Sequence, residues 1–127
     1  MKFDHGAFQV SDLDRSVQFY TEKLGFSVKR RTVSPEVGEA GAIVSLNGVD
    51  IELIQDLKRA FTPLPEPRAP YCPHLCFSVD DLDAELSRLE RGGVPVVFGP
   101  MEIPGEERWL YFADPDNNML EYIVWYH

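Results

Sequence analysis

The chain has 127 residues, 44% hydrophobic and 26% charged, enough for one domain with a real core and too few for two independent ones. Its formal net charge of −9 excludes nucleic acid as a partner, because phosphates are held mainly by Lys and Arg. The opening MKFDHGAF has no long apolar run, so neither a signal peptide nor a membrane span is expected.

Residues 3–11 alternate as a strand does, with His5, Ala7 and Gln9 on one face and Phe8 and Val10 on the other. Ser11 or Asp12 then caps a helix whose apolar stripe is Leu13, Val17, Tyr20 and Leu24, and Gly25 ends it. A second strand is predicted over 26–33. The segment from Ser34-Pro35 to Gly41 reads as a loop, and Ala42 to Leu46 as a third strand. Asn47-Gly48 is a strong hairpin signal leading into a strand over Val49–Gln55.

Residues 62–73, TPLPEPRAPYCP, carry five prolines, a density that no helix or central strand tolerates. One domain of two repeated modules is therefore expected, 1–57 and 71–127, joined by a Pro-rich spacer over 58–70. The second module begins with a strand over Cys72–Val79. A helix follows over Asp81–Arg91 with stripe Leu82, Leu86 and Leu89, then Gly92-Gly93. Strands are predicted at Val94–Phe98, Trp109–Ala113 and Met119–Trp125, with MEIPGEE and the turn Asp114–Asn118 as loops. Cys72 and Cys76, the only cysteines, would lie about four rises of ~3.3 Å apart, beyond the ~7 Å reach of a disulfide. Free thiols fit a reducing cytoplasm.

One phrase is said twice. HGAFQVSDLD at 5–14 returns as HLCFSVDDLD at 74–83, an offset of 69 residues. The same offset relates Ile51-Glu52-Leu53 to Leu120-Glu121-Tyr122. His5 and Glu52 thus have their counterparts in His74 and Glu121. Alone, a strand histidine is usually a hydrogen-bonding core residue and an exposed glutamate a solubilising one. Matched positions in both modules make a joint role the better reading: two imidazoles and two carboxylates suit Ni, Co, Zn, Mn or Fe, with open positions for water or substrate. Asp12, Asp14, Asp81 and Asp83 also recur, and helix capping explains them. Cys76 is read as pocket wall, and Met119, Ile54, Trp109 and Tyr111 as further candidate walls.

These motifs, with FADPDNNMLEYI near the end, resemble the vicinal-oxygen-chelate superfamily over nearly the whole chain. That group includes glyoxalase I, methylmalonyl-CoA epimerases, extradiol dioxygenases, fosfomycin-resistance proteins and bleomycin-binding proteins. The resemblance implies an α+β fold of paired βαβββ modules forming a U-shaped half-barrel. It also implies one divalent metal per site, held by His5, Glu52, His74 and Glu121. The implied activity is that of a glyoxalase I-like lyase or isomerase, in which Glu121, with Glu52 as its opposite number, moves a proton on a small α-oxygenated carbonyl substrate. Alternatives are an epimerase-like isomerase, an Fe(II) extradiol-type dioxygenase needing only His5, His74 and Glu121, and a small-molecule-binding resistance protein. A homodimer with its sites between chains is expected. Gln9 and Asp56 stand where glutathione-using relatives carry an Arg and an Asn, so glutathione hemithioacetal is expected to be a poor substrate. The third strand, Ala42 to Leu46, lacks the carboxylate that epimerases place there.

Overall fold

A computed structural model describes residues 1–127. Its contacts divide the chain into two compact units, Met1–Leu64 and Pro65–His127. The first contains β1 (Gly6–Gln9), α1 (Leu13–Gln18, continued by a π-helical turn, Phe19–Lys23), β2 (Ser27–Ser34), β3 (Glu39–Leu46) and β4 (Val49–Asp56). The second contains β5 (His74–Ser78), α2 (Leu82–Arg91), β6 (Val96–Ile103), β7 (Glu107–Ala113) and β8 (Met119–Trp125). Both are βαβββ modules, so the fold is α+β and built on the repeat. The two sheets share one topology, β1-β4-β3-β2 and β5-β8-β7-β6, in which the first and last strands pair in parallel and the rest antiparallel.

The repeated Asp opens each helix. Asp12 accepts a hydrogen bond from the Arg15 amide at 3.1 Å and Asp81 from the Ala84 amide at 3.0 Å, satisfying amides that a helix start leaves unpaired. The predicted stripe of the first unit is buried throughout, Leu13, Val17, Tyr20 and Leu24; in the second Leu82 and Leu89 are buried and Leu86 only half-buried. The first helix widens to a π turn at Phe19, where the Thr21 hydroxyl donates back to the Val17 carbonyl at 2.8 Å. Across each sheet, pairing puts Phe8, Leu53 and Ala42 in one row and Phe77, Tyr122 and Leu110 in another. Ile51 and Leu53, on either side of Glu52, are fully buried, so Glu52 must face the other side of its sheet.

Some boundaries differ from the sequence expectation. β3 starts at Glu39 and takes in Gly41, because the whole segment finds partners on both β2 and β4. β5 starts at His74 rather than Cys72, since Pro73 has no amide to give a ladder. β6 runs through Met101–Ile103, into the expected loop. Pro100 is tolerated there because β6 is an edge strand and its register shifts between Phe98 and Met101.

Candidate functional site

Residues paired across a sheet share a face, so the ladders say what surrounds each glutamate. In the first unit one row reads Ala7, Glu52, Ile43, Arg30. In the second the matching row reads Cys76, Glu121, Tyr111, Phe98. The histidines precede Ala7 and Cys76 by two residues and therefore project on the same face. Each histidine meets its own glutamate: His5 Nε2 lies 3.7 Å from Glu52 Oε2, and His74 Nε2 lies 2.9 Å from Glu121 Oε2.

The far nitrogen of each ring is also engaged. His74 Nδ1 is 2.9 Å from the Tyr71 carbonyl, which can only accept, so Nδ1 carries the hydrogen. His5 Nδ1 is 2.7 Å from Asp4 Oδ2. That bond holds the His5 imidazole above its ordinary value; partial desolvation opposes it and the Glu52 carboxylate adds to it. In both units, then, Nδ1 is held by an acceptor and Nε2 faces a carboxylate oxygen. Two electron-rich atoms in that position call for a cation between them, a proton or a metal. An outer acceptor on Nδ1 is also the usual support of a metal-binding histidine.

The spacing in the second unit, unlike the 3.7 Å of the first, is that of two donors on one metal ion, and equally that of a hydrogen bond. Donors about 2.1 Å from one ion and at right angles to each other are about 3.0 Å apart, close to the His74–Glu121 separation. Neither unit, however, gathers three or more His, Cys, Asp or Glu side chains able to hold a metal by themselves. Each brings together one imidazole nitrogen and one carboxylate oxygen.

The two surroundings are unlike. Glu121 is buried, and its side chain is 10% exposed against 31% for Glu52. Tyr111 meets the His74 ring edge-on at 5.3 Å between centroids, and Tyr71 packs on Tyr111 at 5.2 Å and on Phe98 at 6.1 Å. Cys76 reaches the surface, but desolvation of its sulfur, and then the Glu121 carboxylate, push its thiol up to about 12; it is no thiolate at neutral pH. Desolvation and then Glu121 raise the Tyr111 hydroxyl as well.

In the first unit a cleft of about 230 Å³ is lined by Glu52, Ile54, Ile43, Gly41, Thr32 and Arg30, among others. A neighbouring cleft of about 490 Å³ brings Gln9 and Asp56 together with Lys58 and Arg59. Gln9 and Asp56 thus share a cleft with two cations from the segment that follows β4. Asp56 itself is turned back to accept the Lys58 and Arg59 amides at 2.8 and 3.1 Å.

Of the predicted residues, His5 and Glu52 come together in one unit and His74 and Glu121 in the other. Among the candidate walls, Tyr111 borders His74 and Ile54 lines the first-unit clefts, while Met119 is buried core. Sequence reasoning missed Asp4, Tyr71 and Arg30. Asp4 stands next to His5 and was legible as a partner for it. Tyr71 acts through its carbonyl, which no sequence marks, and Arg30 depends on a register shift.

Comparison with known proteins agrees with the fold of paired modules. The family model described as the glyoxalase/bleomycin resistance protein/dioxygenase superfamily matches residues 2–122. The Bacillus subtilis protein YwkD is 35% identical over 125 residues, covering 92% of this chain and 91% of its own. A probable lactoylglutathione lyase of Vibrio cholerae is 26% identical over 120 residues, covering 94% and 87%. Among solved structures, a glyoxylase/bleomycin resistance protein/dioxygenase domain from Frankia sp. EAN1pec superposes with a TM-score of 0.81 at 29% identity, covering 98% of this chain and 92% of that one. The paired modules, the repeated His and Glu and the match over residues 2–122 agree: the chain belongs to the glyoxalase/bleomycin resistance protein/dioxygenase superfamily.

Proposed function

We propose that this chain is a metal-dependent enzyme of glyoxalase I type, with His5, Glu52, His74 and Glu121 as the ligands of one divalent ion, Ni, Co, Zn, Mn or Fe. The observation that carries this is the twice-built pair, in which Nδ1 is fixed by an acceptor and Nε2 faces a carboxylate. A divalent ion held there would supply Lewis-acid polarisation of two neighbouring substrate oxygens and lower the cost of removing a proton from the adjacent carbon.

The chain's own groups do the rest. Glu121 takes the proton at a carboxylate oxygen and returns it to the neighbouring carbon, with Glu52 as its counterpart on the opposite side. His74 is held at Nδ1 by the Tyr71 carbonyl and against the Tyr111 edge, so its Nε2 stays aimed at Glu121. Glu121 is itself buried beside Tyr111, which strengthens each electrostatic contact there. Since each unit presents only one His and one Glu, we place the active form as a homodimer in which pairs from two chains complete each site. The substrate is a small α-oxygenated carbonyl compound. The setting proposed is the cytoplasm, where the free Cys72 and Cys76 stay reduced; no helix is long and apolar enough to cross a membrane.

One observation favours a second reading. Glu52 is more exposed than Glu121 and farther from its histidine. A three-ligand set of His5, His74 and Glu121 would suit an Fe(II) dioxygenase of extradiol type. Metal titration of Glu52→Gln and Glu121→Gln decides. Loss of affinity in both supports four ligands, loss only in Glu121→Gln supports three, and loss in neither ends the metal reading. Turnover of a hemithioacetal and of methylmalonyl-CoA, against oxygen consumption with a catechol, then assigns the reaction class.

A further inference from the structure

Lys29, Arg30 and Arg31 form a run of three cations on β2, and the strand treats them differently. The β2–β3 register shifts between Val28 and Arg30, so one extra residue is accommodated there and the alternation of faces is reset. Arg31, opposite Ala42, turns to the helix side and pairs with Asp14 of α1. Lys29 reaches Asp50 at 2.7 Å. Arg30, opposite Ile43, falls in the row of Glu52 and lines the same cleft. No carboxylate lies within ion-pairing distance of it. Glu39 lines the far end of that cleft, but it stands four residues along β3 from Ile43, roughly 13 Å away in backbone terms. Thus, of the three cations, the bulge leaves one unpaired and facing the candidate site.

We propose that Arg30 is the anion anchor of this site, and that the substrate is a small oxygenated acid carrying a carboxylate away from its reacting oxygens. The proposal rests on the metal-centre reading for the position of those oxygens. Arg30 stands two strands from Glu52, so roughly 9–10 Å separates their backbones. A substrate with a few carbon atoms between its reacting centre and its carboxylate can bridge a separation of that order. The guanidinium presents a planar fork of donors matched to carboxylate geometry, and the Thr32 hydroxyl in the same cleft offers a further donor. The cleft volume of about 230 Å³ is below the ~300–1,000 Å³ of sites for drug-sized ligands and suits a short acid.

The test compares two 2-oxo acids that share the vicinal oxygens and differ in one carboxylate: 2-oxoglutarate and 2-oxopentanoate. Calorimetric titration of zinc-loaded and metal-free protein gives both affinities, and metal titration is run in parallel. Wild-type protein should bind 2-oxoglutarate at least about tenfold more tightly, the size of one charge-assisted hydrogen bond. Arg30→Gln should bring the two within twofold without changing zinc affinity, and Arg30→Lys should keep part of the preference. Arg31→Gln removes the same charge from the opposite face and should keep all of it. Zinc binding without a preference for 2-oxoglutarate, or with a preference that survives Arg30→Gln, overturns the Arg30 assignment and leaves the metal reading standing. A preference abolished by Arg30→Gln in protein that binds no zinc supports Arg30 and overturns the metal reading. Binding of neither zinc nor either acid overturns both.

Discussion

The two units use one backbone plan to build two different surroundings for the same pair of side chains. In the second, His74 lies in a strand, its Nδ1 is held by a carbonyl and its ring by Tyr111, so it stands 2.9 Å from a buried Glu121. In the first, His5 precedes the strand, its Nδ1 partner is the exposed Asp4, and the gap to Glu52 is 3.7 Å. One row is walled by Tyr111 and Phe98, the other by Ile43 and Arg30. The comparison teaches that repetition fixes where His and Glu stand, while the strands two places away decide how tightly they are held and what can approach. In the proposed site the second unit grips and the first admits.

The strongest test of that asymmetry is ligand loss. Glu121→Gln should lower metal affinity by at least about a hundredfold, since even outer partners of metal ligands cost 10–100-fold. Glu52→Gln should lower it less, and competition with a chromophoric chelator measures both. Equal losses would show that the tight and loose pairs do the same work. A related experiment asks whether the halves are shared. Chains carrying His5→Ala, mixed in equal amounts with chains carrying His74→Ala, should regain about a quarter of wild-type activity. Half of the dimers are then mixed, and one of two sites in each is intact. If subunit exchange is shown and no activity returns, each site draws its ligands from one chain.

The turns that deliver the glutamates differ as well. Glu52 follows the tight Asn47-Gly48 hairpin, with both residues at positive φ, 50° and 81°. Glu121 follows Asp114–Asn118, where the buried Asp114 carboxylate accepts from the Asp116 and Asn118 amides at 2.9 and 3.0 Å and from the Asn118 side chain at 2.9 Å. Asp114→Ala should cost about 2–3 kcal/mol in urea unfolding, because it leaves buried donors without an acceptor. Gly48→Ala meets no atom within 4 Å and should cost only about 1 kcal/mol, the strain of a left-handed alanine. A larger loss at Gly48 would reverse this ranking.

Much of this was legible beforehand, for identifiable reasons. Period-2 alternation and the repeat placed His5, Glu52, His74 and Glu121 on matching faces, and the capping Asp residues marked both helices. Arg30 was not legible, because a bulge breaks the alternation on which face assignments rest. Nor was the link from Tyr71 to His74, which runs through a backbone carbonyl. The strand through Pro100 was missed because a proline usually signals a loop, and only an edge position allows otherwise.

The smallest expected difference lies on the helix side. Asp14 and Asp83 are equivalent by the repeat, yet Asp14 bonds Arg31 of β2 while Asp83 bonds Arg108 of β7 at 2.9 Å. The hydrogen bond from Arg108, and then its charge, hold the Asp83 carboxyl below its ordinary value. A carboxylate whose folded value is depressed adds stability above the unfolded value, near pH 4, and loses it as pH falls through the folded one. Asp83→Asn should therefore unfold at lower urea than wild type from pH 5 to 7, and the gap should close below about pH 4. Asp83 is 71% exposed, so the gap should be small and should shrink in molar salt. Asp83 also sits in the first turn of α2, where any negative charge favours the helix dipole. Arg108→Gln separates the two contributions: the pair alone predicts no further loss when both substitutions are combined, and the dipole alone predicts that Asp83→Asn costs the same with Arg108 present or replaced.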